Sequence, residues 1–440
     1  MKMFNAKDTK KTSKNWAWLT VLLIGMLAVG TISCDDDDND DNNTVTPEPE
    51  ESEEVASAWL TGYFTATPNG RLYYMEVNEN IPDETDVSNA VELGLGNRIL
   101  SFGEHPYSWN DAAGTLTKWN VDKTTLEFSV DGIISFASNG ISGNIGLTIV
   151  IASETEGYVQ DIFEGQIVEF NPTTMEITQA ITFDLPPVPN ANPTNGFYFV
   201  NDPVFIPETQ KILYGISYFP TGCCDYDGPN GLIVGVFDTQ SKTMEYKQDS
   251  RLVAAETLIP SGDGFVYAVP SAAAALIRRY MNIDPSVIST VPNVLRIDVD
   301  GNIDPSFSFN YLSVLPTEWA RPIEIASGNL VPFSYADSAV WKFGENWDNR
   351  FDSFSADDFT PVTIDIVTGG VTPFTAFDQY QYASFNHTTN GVDFTVAGTF
   401  AVPDENIEEV SYVLRREDGF NYTQLTKHVG GSMQRMAQLW

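Results

Sequence analysis

Basic side chains are scarce in this chain, 23 Lys and Arg against 60 Asp and Glu, so a cation set beside an aromatic ring stands out. Two such places are Arg278-Arg279-Tyr280 and Trp319-Ala320-Arg321-Pro322, where the cation is a guanidinium. A guanidinium is planar, permanently charged and stacks on ring faces, so Arg278, Arg279, Tyr280, Trp319 and Arg321 are the candidate contacts for a flat anionic or catecholate-like ligand. The competing use of each arginine is an ion pair with the surplus carboxylates. Trp341 and Trp347 have the makings of a sugar-stacking platform, against the commoner fate of tryptophan in a packed core.

Oxygen ligands at calcium-loop spacing occur in Asp298-Val299-Asp300-Gly301-Asn302-Ile303-Asp304, without the bidentate glutamate that completes that pattern. Asp-Gly is also the preferred two-residue hairpin turn, and a hairpin is the expected reading here. Asp225-Tyr226-Asp227-Gly228 carries the same ambiguity. His105, His387 and His428 are far apart in sequence, so no histidine-rich metal site is expected. The chain has no nucleophile elbow, phosphate-binding loop or dinucleotide fingerprint, and neither a catalytic group nor a cofactor is predicted. Paired carboxylates for glycoside hydrolysis stay open, because their separation is a property of the fold. The adjacent Cys223 and Cys224 sit too close for an ordinary disulfide; a strained vicinal ring or two free thiols are the alternatives.

The elements that must position these residues are strands. Apolar residues recur mostly with period two, with turn residues every eight to twelve positions. One strand-turn-strand unit returns at 116–128, 166–177, 232–246, 294–303, 362–371 and, more loosely, 412–422. Further apolar strands lie between the copies, at 146–152, 211–217, 264–269, 328–334 and 392–397. Each repeat is therefore about four strands, as in the blades of a β-propeller, which stack radially because one sheet cannot cover its own two faces. The expected fold is an all-β propeller of seven blades, with eight as the alternative, the segment Trp59 to Val77 completing the ring with the end of the chain. A pair of β-sandwiches does not call for the same unit six times. One short helical insertion is expected at Ser271 to Met281.

Ahead of this domain, five lysines precede an uncharged stretch from Trp16 to Val29, then Gly30-Thr31-Ile32-Ser33-Cys34. That is the order of a secretory signal peptide, and its apolar middle is shorter than the roughly 20 residues a membrane-spanning helix needs. Cys34 in this position resembles the lipobox of bacterial lipoproteins, with Thr31 where the usual pattern has Leu; the resemblance implies that Cys34 is acylated. The alternative is an ordinary signal peptide cut nearby. From Asp35 to Glu54 there are eleven acidic residues and no basic one. Such a segment buries too little apolar surface to offset its ordering entropy, and is expected to be a solvated tether. The run Asp35, Asp36, Asp37, Asp38 resembles the export signal of Bacteroidota surface lipoproteins, implying an outer-membrane location facing the exterior. The expected organisation is a removed signal peptide over 1–33, a lipidated tether over 34–54 and the propeller over 55–440. Removing 1–33 takes away five Lys and one Asp, leaving 18 basic against 59 acidic residues and a net charge of −41. A surface this acidic repels nucleic acid.

Signal, acidic run and propeller-like domain together resemble a family of Bacteroidota surface lipoproteins of unknown function, some of which sit beside TonB-dependent transporters and are implicated in siderophore capture. That resemblance implies a non-enzymatic protein, membrane-attached through its lipid, that holds an iron-siderophore or similar small molecule for a transporter. A glycan-binding or glycan-active propeller and a structural or adhesive subunit are the alternatives.

Overall fold

The computed structural model describes residues 53–440 outside 68, 142–146, 162–163, 189–196, 201–202, 220–231, 252–254, 262, 271–292, 311–312, 315–319, 323–329, 337–358, 367, 374–381, 390–391, 400–409 and 417–421. Among the described residues helix is limited to 3-10 turns, one of them Ala137–Asn139, ended by Gly140 at φ +80°. No helix among them is long and apolar enough to cross a membrane. Strands make up the rest and pair into seven separate sheets.

Six sheets are propeller blades built of consecutive strands. The second sheet holds Asn97–Phe102, His105–Asn110, Thr115–Val121 and Phe128–Ser135; the third, Leu147–Ile151, Gly157–Asp161, Gln166–Asn171 and Glu176–Thr182. The fourth has Phe197–Val200, Lys211–Phe219, Leu232–Asp238 and Thr243–Asp249, with Val204–Ile206 also on Lys211–Phe219. The fifth runs through Ala255–Pro260, Val266–Pro270, Asn293–Ile297 and Phe309–Asn310, and the sixth through Ala320–Pro322, Leu330–Ala336, Phe359–Asp365 and Val371–Pro373. The seventh comprises Tyr382–Thr389, Val392–Thr399, Val410–Arg416 and Tyr422–Val429. The first sheet mixes the two ends of the domain: Ser432–Gln438 pairs antiparallel with Trp59–Thr67, followed by Gly70–Asn78 and Val91–Leu95.

Neighbouring residues on one strand serve different sheet interfaces, so inner strands carry apolar residues on both faces. Tyr158 and Ile167 pack toward the fourth sheet, against Tyr214 and Phe237. Val159 and Val168, one position on, pack toward the second, against Trp109 and Leu116. The same alternation sends Leu213 and Val234 to Leu258 and Leu295 of the fifth sheet, and Tyr267 and Val294 to Ile364 of the sixth. A side chain such as Trp109, fully buried among Phe136 and Phe170, contributes on the order of 3 kcal/mol to such an interface. Gly157 is glycine because its register partner Phe170 lies across it; a Cβ there would meet the ring at 2.4 Å.

All six repeated units are hairpins between the last two of the consecutive strands of their sheets, and where the turn is described a common pattern recurs. In three of them the residue leaving the first strand, Asn171, Asp238 or Asp122, accepts the backbone N–H groups two and three positions on through its side-chain oxygen. The N–H of the fourth residue then closes on its carbonyl, and that residue, Met175, Lys242 or Leu126, takes φ near +56°, +57° or +60°. At Asp365 the same position is filled by Gly369 at φ +74°. Short oxygen-bearing side chains suit the first position because they satisfy backbone donors that a four-residue loop leaves open. Asn171→Ala is accordingly expected to cost about 1 kcal/mol in urea unfolding, and Asn171→Asp much less.

The Asp298 to Asp304 loop is the fifth sheet's version of this hairpin. Gly301 takes φ +83°, its N–H donates to the Asp298 carbonyl, and Ile297 bridges to Ile303. The Asp298 carboxylate turns inward onto the N–H groups of Asp300 and Asn302, at 3.0 and 2.8 Å, and onto the Asn302 amide. Asp300 pairs with Lys211 at 2.7 Å, and Asp304 with Arg296.

Candidate functional site

Arg278, Arg279, Tyr280 and Trp319 lie outside the described residues, as do Cys34, Asp35, Asp36, Asp37, Asp38, Cys223, Cys224, Asp225, Asp227, Trp341, Trp347 and the segment Ser271 to Met281. Arg321 is in the middle of Ala320–Pro322, an edge strand of the sixth sheet, opposite Ser334. No three His, Cys, Asp or Glu side chains among the described residues converge as metal ligands.

The guanidinium-on-aromatic arrangement does occur, at a residue the sequence reading passed over. Arg296 lies over the rings of Phe265 and Phe307, at 4.2 and 4.8 Å, while donating to Asp304. The Ser306 hydroxyl and Arg296 together hold the Asp304 carboxyl well below its usual range. Arg251 beside it is forked onto Asp249 and also donates to the carbonyls of Asp304, Pro305 and Phe307. Both cations are spent on fastening the 304–307 segment to the fourth and fifth sheets, so this cluster is structural.

An open cleft of about 800 Å³ lies between the third and fourth sheets, walled by Thr182 to Leu185 and Pro187 on one side and Lys242 to Tyr246 on the other. Its wall is strapped in place: Tyr246 donates to the Asp184 carbonyl at 2.9 Å, Tyr198 to Pro186 at 2.8 Å and Gln248 to Pro187 at 2.8 Å. Burial pushes the Tyr246 phenol far above its ordinary pKa. Lys242 sits at the corner on its tight turn, bound to Glu169 at 2.7 Å and to the Tyr158 hydroxyl at 3.0 Å. Burial works against the charge on Lys242, but the bonds from Glu169 and Tyr158 outweigh it and raise the pKa. The amine is thus a fixed cation and not a nucleophile. With Leu185 exposed nearby, the cleft combines apolar side chains with Asp184, Glu245 and the ion-paired Lys242. Nothing local announced the trio of Lys242, Glu169 and Tyr158; a lysine at a left-handed turn position was the one clue.

A smaller pocket of about 300 Å³ marks the root of the domain's N-terminal segment, lined by Glu54, Glu104, His105, Lys123 and Trp440 among others. Val55 donates to the Lys123 carbonyl at 2.8 Å and accepts from the Trp440 indole at 3.1 Å. Lys123 lies over the Trp440 ring at 5.2 Å and pairs with Glu104 at 2.9 Å. The point at which the acidic segment enters the domain is therefore clamped between the second sheet and the final residue of the chain.

Stacked antiparallel sheets with a strand from each end in one of them define an all-β protein of the propeller type. No protein-family model matches the chain, and no curated protein matches its sequence. Among solved structures it is similar to the periplasmic gluconolactonase PpgL of Pseudomonas aeruginosa, with a TM-score of 0.50 and 10% identity over 87% of this chain and 99% of that one. It is also similar to a candidate 6-phosphogluconolactonase from Bacteroides uniformis, with a TM-score of 0.47 and 11% identity over 87% and 99%. Apo AztD from Citrobacter koseri gives 0.43 and 7% identity over 87% and 98%. The likeness is one of fold.

Proposed function

We propose that this chain is a lipid-anchored propeller of seven blades, displayed on the outer membrane of a bacterium, which captures a small ligand without transforming it. The observation that carries this is the order Cys34, eleven acidic residues without a basic one, then a propeller-type domain rooted at Val55. In this reading 1–33 is removed, Cys34 bears the lipid, Asp35 to Asp38 direct export, and 34–54 is the leash. An iron-siderophore is the leading ligand, passed to a TonB-dependent transporter. Arg278, Arg279, Tyr280, Trp319 and Arg321 supply the cation and ring surfaces that a flat anionic chelate needs.

The test is calorimetry or tryptophan quenching with ferric siderophores and haem on the chain from residue 35 onward. Saturable binding is expected, weakened about tenfold or more by Arg321→Ala, since a lost charged contact costs roughly 1.5–3 kcal/mol. Absence of any signal across the panel removes this reading. Release of reducing sugar from a polysaccharide panel, or opening of a sugar lactone, abolished by one carboxylate substitution, replaces it with a carbohydrate-active enzyme.

A further inference from the structure

The seam between the seventh and first sheets sets buried polar side chains beside an apolar cluster of Tyr63, Val413, Met433 and Met436. Its facing strands bury Thr61, Glu76, Ser411, Thr426 and His428, with Thr85 from the loop after Gly70–Asn78. That loop leaves the first sheet and lays Glu84–Thr85 as a parallel strand on Tyr422–Val429, pairing Glu84 with Lys427 and Thr85 with His428. The strap is held by the Lys427 N–H on the Asp83 carbonyl at 3.1 Å and by the Lys427 to Glu84 ion pair at 2.6 Å. Beneath it the His428 ring lies tilted by 32° against Tyr63, with 3.9 Å between ring centres, Tyr63 donates to the Asp86 carbonyl, and Thr85 Oγ1 lies 3.0 Å from His428 Nδ1.

His428 is fully buried, and its Nε2 has no hydrogen-bond partner among the described residues. A neutral imidazole tolerates this; an imidazolium does not, because both ring nitrogens then donate and the charge is desolvated. We propose that the Glu84–Thr85 strap and the His428–Tyr63 contact form an acid-releasable clasp, so that the seam between the first and seventh sheets opens below neutral pH before the other sheets unfold.

Charged neighbours modify this without cancelling it. Burial drives the His428 pKa down to about 4, against smaller upward pulls from the Thr85 bond and the Asp86 charge. Lys427 is neutralised by Glu84, with Tyr412 beyond it. Glu76, on the Tyr63 and Tyr74 face of the first sheet, has a pKa raised by burial, so it stabilises the closed seam toward acid and dampens the effect. For His428 the folded value lies below the unfolded 6.5. Its stabilisation is therefore complete above about pH 6.5 and is lost as the pH falls toward 4.

Hydrogen exchange on the full chain, corrected for intrinsic rates, reads the clasp directly. From about pH 7 to about pH 4.5, protection of residues 83–86 and 422–438 is expected to fall by about 50-fold while the second to fifth sheets hold theirs. His428→Asn, and separately a disulfide made by Glu84→Cys with Lys427→Cys, are each expected to flatten the dependence. Equal loss in every sheet, or a His428→Asn variant that keeps the parent's dependence, overturns the proposal. So does a His428 imidazole that titrates near 6.5 by NMR in the folded protein.

Discussion

Cells carrying Cys34→Ala are expected to lose the protein from the membrane fraction entirely, and to release it in soluble, folded form. Each buried methylene of an acyl chain contributes about 0.8 kcal/mol, so on the proposed reading several chains on Cys34 make anchoring effectively permanent. On the same reading, a solvated tether of about 20 residues spans on the order of 25 Å, enough to reach an adjacent transporter and not enough to leave the surface. Changing Asp35 to Asp38 together to Asn is expected to leave the protein anchored but facing inward. Fractionation separates the first variant from the parent and protease shaving of intact cells separates the second. A membrane-bound Cys34→Ala protein defeats the assignment of the lipid to this residue.

The second large effect is expected at Gly431. Only Gly430 and Gly431 separate Tyr422–Val429 of the seventh sheet from Ser432–Gln438 of the first. So short a crossing brings the backbone against its neighbour: a Cβ on Gly431 would lie 2.2 Å from the Phe64 carbonyl oxygen and 3.1 Å from His428 Nε2. The first obstacle is main chain inside a paired strand and has no rotamer to yield. Gly431→Ala is therefore expected to destabilise by about 3 kcal/mol and to weaken the pairing of Ser432–Gln438 with Trp59–Thr67. Gly430 is an internal control, since it has φ +84° but open space where a Cβ would go. Gly430→Ala should cost only about 1 kcal/mol, the penalty for a left-handed residue. Urea unfolding of the two variants side by side checks this. Equal shifts would show that backbone handedness, and not the close approach, governs the crossing.

Much of the architecture was legible because its causes are local. The hairpins at 116–128, 166–177 and 232–246 follow from apolar runs ending in Asp or Asn, whose side chains close the turn within four residues. Asp298 to Asp304 reads as a hairpin for the same reason, its glycine at the one position that needs positive φ. The pairing of the two chain ends was legible too, since the segment Trp59 to Val77 supplies strands that can complete a sheet with the end of the chain.

What sequence determined, then, is the strand-turn-strand unit, its repetition and the burial of both sheet faces, because alternation and turn chemistry act between residues a few positions apart. Tertiary structure alone decided which polar residues matter. Thr85 and His428 stand 343 positions apart, and Lys242 and Tyr158 stand 84 apart. In sequence, Glu84 and Thr85 belong to an ordinary polar loop, and Lys242 to an ordinary turn. Their roles arise where one sheet is laid on the next, and that stacking is set by the sum of many apolar contacts and by no motif around the residues themselves. The expectation for the acidic stretch behind Cys34 rests on charge and composition alone and calls on no such context.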